Sequence, residues 1–327
     1  MNLSNSAINK IGDTIRKGPE EEGYISAVET LNIWREWHGS ILDEYYNKCC
    51  HLSAKHSREI IIARRLKRLP TIIDKLDRQP SMRLSSMQDI AGVRIVVKNM
   101  AELKLLQKRI SRWKYLKNTK NYILNPKPDG YRGIHFIFKK DNQYVEVQLR
   151  TQLQHVWATA VESTDVFRDA SMKTRGDNTY WGKFFLITSA TFARIEETAP
   201  VDGYQDMGLM PTIAQLKQCV VKHKIIDKIE PMVFAEEISE DSRFRKSDYV
   251  LMDLDFEARK CSVICFKSED YTDAIREYEK LEADIGRRHS SVLVSVNGFK
   301  NLKDAYPNYF VDLRKFAGLI MFMVDNS

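Results

Sequence analysis

Ser85-Ser86-Met87-Gln88-Asp89-Ile90-Ala91-Gly92-Val93-Arg94-Ile95-Val96-Val97 is a polar turn feeding a β-branched run, the pattern of a buried strand with an acid at its entrance. Downstream, Ile134 to Phe138 and Tyr144 to Leu149 alternate as paired strands, with Lys139 to Gln143 as the hairpin loop and with Glu146 and Gln148 on one face. Upstream, Leu31, Trp34, Ile41 and Tyr45 recur at helical spacing and predict one helix from Ser26 to Asn47. The helical reading continues from Ser57 through Ile60, Ile61 and Ala63 into the basic knot Arg64-Arg65-Leu66-Lys67-Arg68, and Pro70 opens a further helix. Leu103, Leu106 and Ile110 predict a helix over 101–112, followed by the turn Asn125-Pro126-Lys127-Pro128-Asp129-Gly130. Helices are also expected over 153–167 and 180–197, and Thr198 to Gly203 is the best candidate domain boundary. Beyond it the pattern gives two strands within 249–266, a helix over 271–285 and a strand over 291–296.

The chain has 327 residues, enough for one large domain or two modest ones, and the aromatics are spread along its whole length. Its net charge of +7 favours polyanionic partners such as nucleotides or RNA. Five cysteines without paired C-x-x-C spacing favour reduced thiols over a zinc site or a disulfide framework. The first residues lack a basic region followed by an apolar one, so a cytoplasmic location is expected. The apolar run Phe316 to Val324 falls far short of the ~20 residues that span a bilayer and reads as a buried strand or helix.

Two acids stand out among apolar neighbours. Singly, Asp89 reads as a capping residue and Glu146 as an exposed-face one. Together, two strands of one sheet would aim both carboxylates at one Mg²⁺, an ion that bridges phosphate oxygens during displacement at phosphorus. The surroundings are basic: Arg65, Lys67 and Lys75 lie on or between the early helices, and Arg94, Lys127, Arg132 and Arg150 lie near strand ends. Guanidinium forks and ammonium groups suit a polyphosphate clamp. No Walker A or G-x-G-x-x-G string is present, so side chains must build that clamp. Tyr131, in the rigid turn 126–132, reads equally as a purine platform or as a ring packed on its own domain.

In order and spacing, four blocks resemble the RelA/SpoT alarmone synthetase domain. They are Arg65-x-Lys67 with Lys75 after it, Asp89-Ile-Ala-Gly-Val-Arg94, Asn121-Tyr-Ile-x-x-Pro-Lys127-x-x-Gly-Tyr131-x-x-x-His135, and Val-Glu146-Val-Gln148-x-Arg150-Thr151. The resemblance covers about Ser57 to Glu162. It implies a mixed α/β fold: a nucleotidyltransferase-like synthetase domain with flanking helices, plus a smaller C-terminal α+β domain. The corresponding division is an N-terminal helical region 1–56, a pyrophosphotransferase domain 57–202 and a C-terminal domain 203–327 of regulatory or other role.

The activity implied is a Mg²⁺-dependent transfer of the β,γ-diphosphate of ATP to the ribose 3′-hydroxyl of GDP or GTP, with AMP leaving. Asp89 and Glu146 are then the catalytic and metal residues, and Arg65, Lys67, Lys75 and Arg94 hold ATP. Tyr131 would stack on the acceptor base, Lys127 and His135 would meet its phosphates, Asp129 lies in the same turn, and Gln148 and Arg150 support the site. Here Asp129 stands where relatives carry Asn, an anion facing an anionic acceptor. Seven basic residues within 101–120 (Lys104, Lys108, Arg109, Arg112, Lys114, Lys117 and Lys120), interleaved with Trp113 and Tyr115, suit an RNA backbone. They keep open a rival function, a toxin that pyrophosphorylates the 3′ end of tRNA; a solvated helix face followed by a strand is the plainer reading. A silent nucleotide-binding module is the third reading, disfavoured because both acids and the donor cations are in place. A homo-oligomer, and an antitoxin or regulatory partner, are the further associations to look for.

Overall fold

The computed structural model describes residues 3–54, 56, 60–67, 69–168, 180–229, 249–255, 260–283, 289–295 and 313–326. Helices α1 (Asn5–Arg16), α2 (Tyr24–Trp37) and α3 (Gly39–Ala54) lead into strand β1 (Ile61–Leu66) and helix α4 (Leu69–Arg78). Then follow β2 (Ala91–Val97), α5 (Met100–Ile110), β3 (Leu116–Asn121), β4 (Ile134–Lys140), β5 (Gln143–Thr151), α6 (Gln152–Arg168) and α7 (Tyr180–Ile195). The five strands form one mixed sheet in the order β1-β2-β5-β4-β3, with β2 and β5 parallel and the other pairs antiparallel. The fold is thus mixed α/β, as the resemblance implied, with a further C-terminal α+β region.

Strand alternation gives the sheet two chemically different faces. Val93, Ile95, Phe136, Phe138, Val145, Val147 and Leu149 point backward into a core closed by α3 and α5. Each such large side chain contributes about 1.5–3 kcal/mol on burial. The alternate residues, among them Arg94, His135, Glu146, Gln148 and Arg150, face forward. Helix α6 packs against β2 and β5 on that side. The β4–β5 hairpin turns on Asp141 and Asn142 alone, both at positive φ, so it is tighter than the expected loop over 139–143.

Two expectations are corrected. The single helix over 26–47 is broken at His38, between α2 and α3. Leu31 and Trp34 pack with α1 and α4, whereas Ile41 and Tyr45 pack behind the sheet, so the one apolar stripe serves two cores. The basic knot is also not helical in its first part: Ile61–Leu66 pairs antiparallel with β2 and places Arg65 opposite Gly92.

Helices α8 (Leu209–His223) and α9 (Ile225–Ile229) follow, then β6 (Tyr249–Asp255), β7 (Lys260–Phe266), α10 (Tyr271–Ala283), β8 (His289–Ser295) and α11 (Arg314–Asp325). Strands β7-β6-β8 form a separate antiparallel sheet covered by α10. The apolar run expected as strand or helix is α11. Its Phe316 and Ile320 share a core with Trp157 of α6, Phe184 and Phe185 of α7 and Leu216 of α8. Among the described residues no helix is long and apolar enough to cross a membrane.

Candidate active site

The forward face of the sheet, α4, α6 and the turn after β3 enclose a cleft of about 650 Å³. Of the residues expected from the sequence, Lys75, Asp89, Lys127, Asp129, Tyr131, His135, Glu146, Gln148 and Arg150 line it together. Lys67 reaches it through Asp89. Arg65 and Arg94 line a small adjoining cavity of about 30 Å³ that shares Gln148 with the cleft. Lys120, Tyr122, Gln88 and Trp157 also line the cleft, and the sequence reading gave none of them a place there. The one signal for Lys120 was its strand position: in the β3–β4 register it lies across from His135.

Asp89 accepts from Lys75 Nζ at 2.8 Å and from Lys67 Nζ at 3.0 Å. Burial alone would raise its carboxyl, but the two ammonium groups outweigh that and hold it at about 2. Burial lowers Lys67 against the pull of Asp89. Arg94 is brought down to about 10 by burial and by the neighbouring Arg150 charge, and its Nε is buried with no hydrogen-bond partner among the described residues. Such a group is satisfied when a ligand supplies an acceptor.

Around Glu146 the hydrogen bonds form a closed circuit. His135 Nδ1 lies 2.8 Å from Glu146 Oε1, and Gln148 Nε2 donates to Oε2 at 2.6 Å. Tyr131 Oη is 2.5 Å from His135 Nε2 and receives Arg150 Nη2 and Nε at 2.8 and 3.1 Å. Arg150 Nη2 also donates to Gln148 Oε1 at 2.9 Å. Burial lowers the His135 imidazole despite the carboxylate beside it, so the ring is neutral near pH 7. A neutral ring has one donor and one acceptor. With Glu146 taking a proton donor at Nδ1, Nε2 must accept from the Tyr131 hydroxyl. Every bond then points the same way: Arg150 is the ultimate donor and Glu146 the ultimate acceptor along two routes. Burial pushes Glu146 up, the bonds from His135 and Gln148 pull it down, and the net position is below the usual carboxylate value. The Asp89 charge is felt at Glu146 as a raising influence, which places both acids in one electrostatic site.

The turn 126–132 is fixed from both sides. Lys127 and Tyr131 are linked by a backbone bond at 3.1 Å, and Asp129 Oδ1 accepts from Tyr131 N at 2.9 Å. Asp129 therefore shapes the turn and sits beside the Lys127 charge. Gly130 has φ of 90°, and a Cβ there would come within 3.1 Å of Ser189 and Trp157. Next in sequence, Arg132 forms a buried ion pair at 3.0 Å with Glu196, the residue after α7; Arg132 also donates to Thr198, and Thr151 and Gln154 donate to Glu196. Nothing in the sequence marked Glu196, because its partner is 64 positions away.

Lys127 stands 4.8 Å from the centroids of both the Tyr122 and Tyr131 rings. Residues 64–169 match the family described as a region found in RelA / SpoT proteins. Over 161 residues the chain is 29% identical to an uncharacterized protein of Mycobacterium tuberculosis, covering 49% of this chain and 58% of that one. It is 28% identical over 120 residues to the GTP pyrophosphokinase YjbM of Bacillus subtilis, covering 33% of this chain and 57% of that one. The chain thus spans little more than half the length of these curated relatives. Among solved structures it resembles small alarmone synthetase 1 of Bacillus subtilis bound to its product pppGpp, at 20% identity and a TM-score of 0.43, covering 50% of this chain and 93% of that one. Small alarmone synthetase 2 of the same organism matches at 21% identity and a TM-score of 0.41, covering 54% and 95%.

The matched residues 64–169 include every residue that lines the cleft, and Ser189 and Glu196 brace the turn 126–132 from outside that stretch. Among the described residues no group of three or more His, Cys, Asp and Glu side chains gathers around one point. Mg²⁺ does not need one, since it commonly takes one or two carboxylates and completes its shell with phosphate and water. Asp89 and Glu146, both ionised and both in the cleft, fit that all-oxygen donor set.

Proposed function

We propose that the RelA/SpoT region transfers the β,γ-diphosphate of ATP to the 3′-hydroxyl of GDP or GTP. The observation that carries this reading is the pairing, in one cleft, of two ionised carboxylates with a surrounding set of cations: Lys67, Lys75, Lys120, Lys127 and Arg150. The ribose 3′-oxygen attacks the β-phosphorus, the bond from that phosphorus to the oxygen bridging to the α-phosphate breaks, and AMP leaves with the bridging oxygen. The proton of the 3′-hydroxyl passes to Glu146, which is ionised at rest because the bonds from His135 and Gln148 outweigh its burial. Mg²⁺, held by Asp89 and Glu146, would neutralise phosphate charge. Positioning and charge neutralisation are the usual sources of rate in such transfers.

Arg65, Lys67, Lys75 and Arg94 serve the donor. In the free protein Lys67 and Lys75 neutralise Asp89, and incoming phosphates compete for the same ammonium groups. Tyr131 and Lys127 serve the acceptor, with Asp129 shaping their turn. His135, engaged at both nitrogens, acts as a relay within the circuit rather than as a phosphate contact, and Gln148 and Arg150 orient Glu146. We place this chemistry in 57–202, between the helical region 1–56 and the segment 203–327.

A second reading is supported by the exposed basic residues Lys104, Lys108, Arg109, Arg112, Lys114 and Lys117 beside the exposed Tyr115. Lys120 continues that basic stretch into the cleft, which suits a tRNA 3′ end as acceptor. The test is a transfer assay with γ-labelled ATP, Mg²⁺ and GDP, GTP or bulk tRNA as separate acceptors, with Glu146→Gln as control. Label on GDP or GTP that depends on Glu146 supports the first reading. Label on tRNA alone replaces it with the second, and no label on any acceptor refutes both.

A further inference from the structure

Arg35 of α2 is buried, and its guanidinium reaches two segments besides its own helix. Nε donates to Lys67 O at 2.7 Å, Nη1 to Asn32 Oδ1 at 3.2 Å and Nη2 to Tyr278 Oη of α10 at 3.1 Å. Its Cζ also lies 5.4 Å from the centroid of the Tyr278 ring, within the range of a cation–π contact. Burying a guanidinium beside neutral acceptors costs desolvation, and the planar fork recovers it only by meeting each acceptor along a fixed direction. Arg35 thus fixes the Lys67 carbonyl, and Tyr278 helps to fix Arg35.

Lys67 lies between the end of β1 and the start of α4 and is held at both of its backbone groups. Its N–H donates to Ile90 O at 2.7 Å, its carbonyl accepts from Arg35, and its Nζ donates to Asp89 at 3.0 Å. Ile90 follows Asp89, so the N–H bond ties the lysine to the strand entrance that presents the acid. The carbonyl bond comes from outside residues 64–169, and so does the Tyr278 hydroxyl behind it. A lysine carries its charge on a flexible four-carbon stem, so the place where its ammonium group rests depends on where its backbone is anchored.

The β6–β8 unit meets this region across an incompletely filled interface. A cavity of about 360 Å³ lies between α2, α3, the outer edge of β1 and that unit, lined by Asp43, Arg64 and Leu66 from the first part and by Tyr249, Tyr271 and Leu293 from the second. The cores behind the sheet, around α1, α2 and α4, and around α6, α7 and α8 take no described residue from β6, β7, β8 or α10. Unfilled space forfeits the dispersion contacts of a continuous core, and relative motion is the ordinary behaviour of units joined in this way. The bond from Arg35 to Tyr278 therefore exists only while the unit is seated.

We infer that Arg35 is a positioning residue for the donor lysine, and that the β6–β8 unit tunes ATP binding by seating Tyr278 on it. This rests on the pyrophosphotransfer reading above. With the unit in place, Tyr278 orients Arg35, Arg35 holds Lys67 O, and Lys67 Nζ reaches the cleft beside Asp89. Whatever unseats the unit releases Arg35 Nη2, relaxes the Lys67 backbone and weakens the grip on the donor phosphates.

The test is calorimetric titration of the full chain, in Mg²⁺, with α,β-methylene-ATP, comparing wild type, Tyr278→Phe, Arg35→Lys and each of these combined with Lys67→Met. Tyr278→Phe removes one oxygen and keeps the ring, so the variant should fold as wild type does. It should weaken the analogue roughly three- to tenfold, the worth of one hydrogen bond. Arg35→Lys keeps the charge but loses the fork, and should weaken the analogue further. In the Lys67→Met background neither change should cost anything more, because both act through Lys67; a general loosening of the fold would cost the same in either background. Unchanged analogue affinity in Tyr278→Phe overturns the inference, and so does full additivity with Lys67→Met. If the variants behave as expected but wild-type protein transfers no diphosphate, the positioning role stands and the catalytic reading fails.

Discussion

Replacing Tyr131 by Phe removes one oxygen and tests the direction of the whole circuit around Glu146. That hydroxyl takes two N–H bonds from Arg150, at 2.8 and 3.1 Å, and lies 2.5 Å from His135 Nε2. Without it Arg150 Nη2 keeps Gln148, but Arg150 Nε and His135 Nε2 lose this partner inside a site where both residues are buried. A buried polar group left unsatisfied costs about 1–3 kcal/mol. Water entering from the cleft repairs part of that loss, so the variant should lose about 2 kcal/mol of unfolding free energy in urea titration. Its transfer rate should fall at least about tenfold, the equivalent of about 1.4 kcal/mol of misorientation at Glu146. The sharper readout is imidazole ¹⁵N NMR. Wild-type His135 should be neutral near pH 7 with the proton on Nδ1, and the variant should keep that proton, which Glu146 still accepts, while its Nε2 resonance shifts for want of the Tyr131 donor. An Nε2–H tautomer in the wild type, or a variant as stable and as active as wild type, would refute the circuit.

His38 supplies a pH test away from the site. Burial lowers its imidazole to about 4 against the opposing bond to Trp34 O, so the unfolded chain takes up the proton first and stability is lost as pH falls from about 6.5 toward 4. The gap corresponds to roughly 3 kcal/mol, and His38→Gln should flatten that part of the urea-midpoint profile. For the Arg132–Glu196 pair, Glu196→Ala should cost about 3–5 kcal/mol by leaving a buried guanidinium unpaired. The double variant Arg132→Leu with Glu196→Leu should cost much less than the two single changes together, and simple additivity in the double-mutant cycle would contradict this. Gly130→Ala forces a side chain into positive φ against Ser189 and Trp157, at about 1–2 kcal/mol or more. Thermal melting should register that loss, and the acceptor KM should rise more than the ATP KM.

Where side-chain periodicity was local, the sequence was readable. The β2 run and the β4–β5 pair appear where their alternation put them, and so do α5, α6 and α7. Strand β1 was misread because its forward positions hold Ala63 and Arg65 and its backward positions Ile62, Arg64 and Leu66, so neither face is uniformly apolar. Pairing with β2, a contact made far along the chain, decides it. The break at His38 was hidden because the apolar spacing runs through it unchanged and only the core being faced differs. At the site, Asp89, Glu146 and their cations were legible from residue type and order. The direction of the circuit was not, since it depends on which nitrogen of His135 meets which oxygen. Glu196 was equally hidden, since it meets Arg132 from a segment that shares no motif with it.

Helix α11 bears on when the cleft is completed. Trp157, Ala158 and Val161 of α6 form both a wall of the cleft and part of the core that Phe316 and Ile320 close from behind. During translation, the wall stands without its backing until residues 314–325 have left the ribosome. A nascent chain stalled before Arg314 should therefore be cleaved readily within α6 by a probe protease and should transfer no diphosphate. The cleft would have both its faces in place only after nearly all of the described chain had been made.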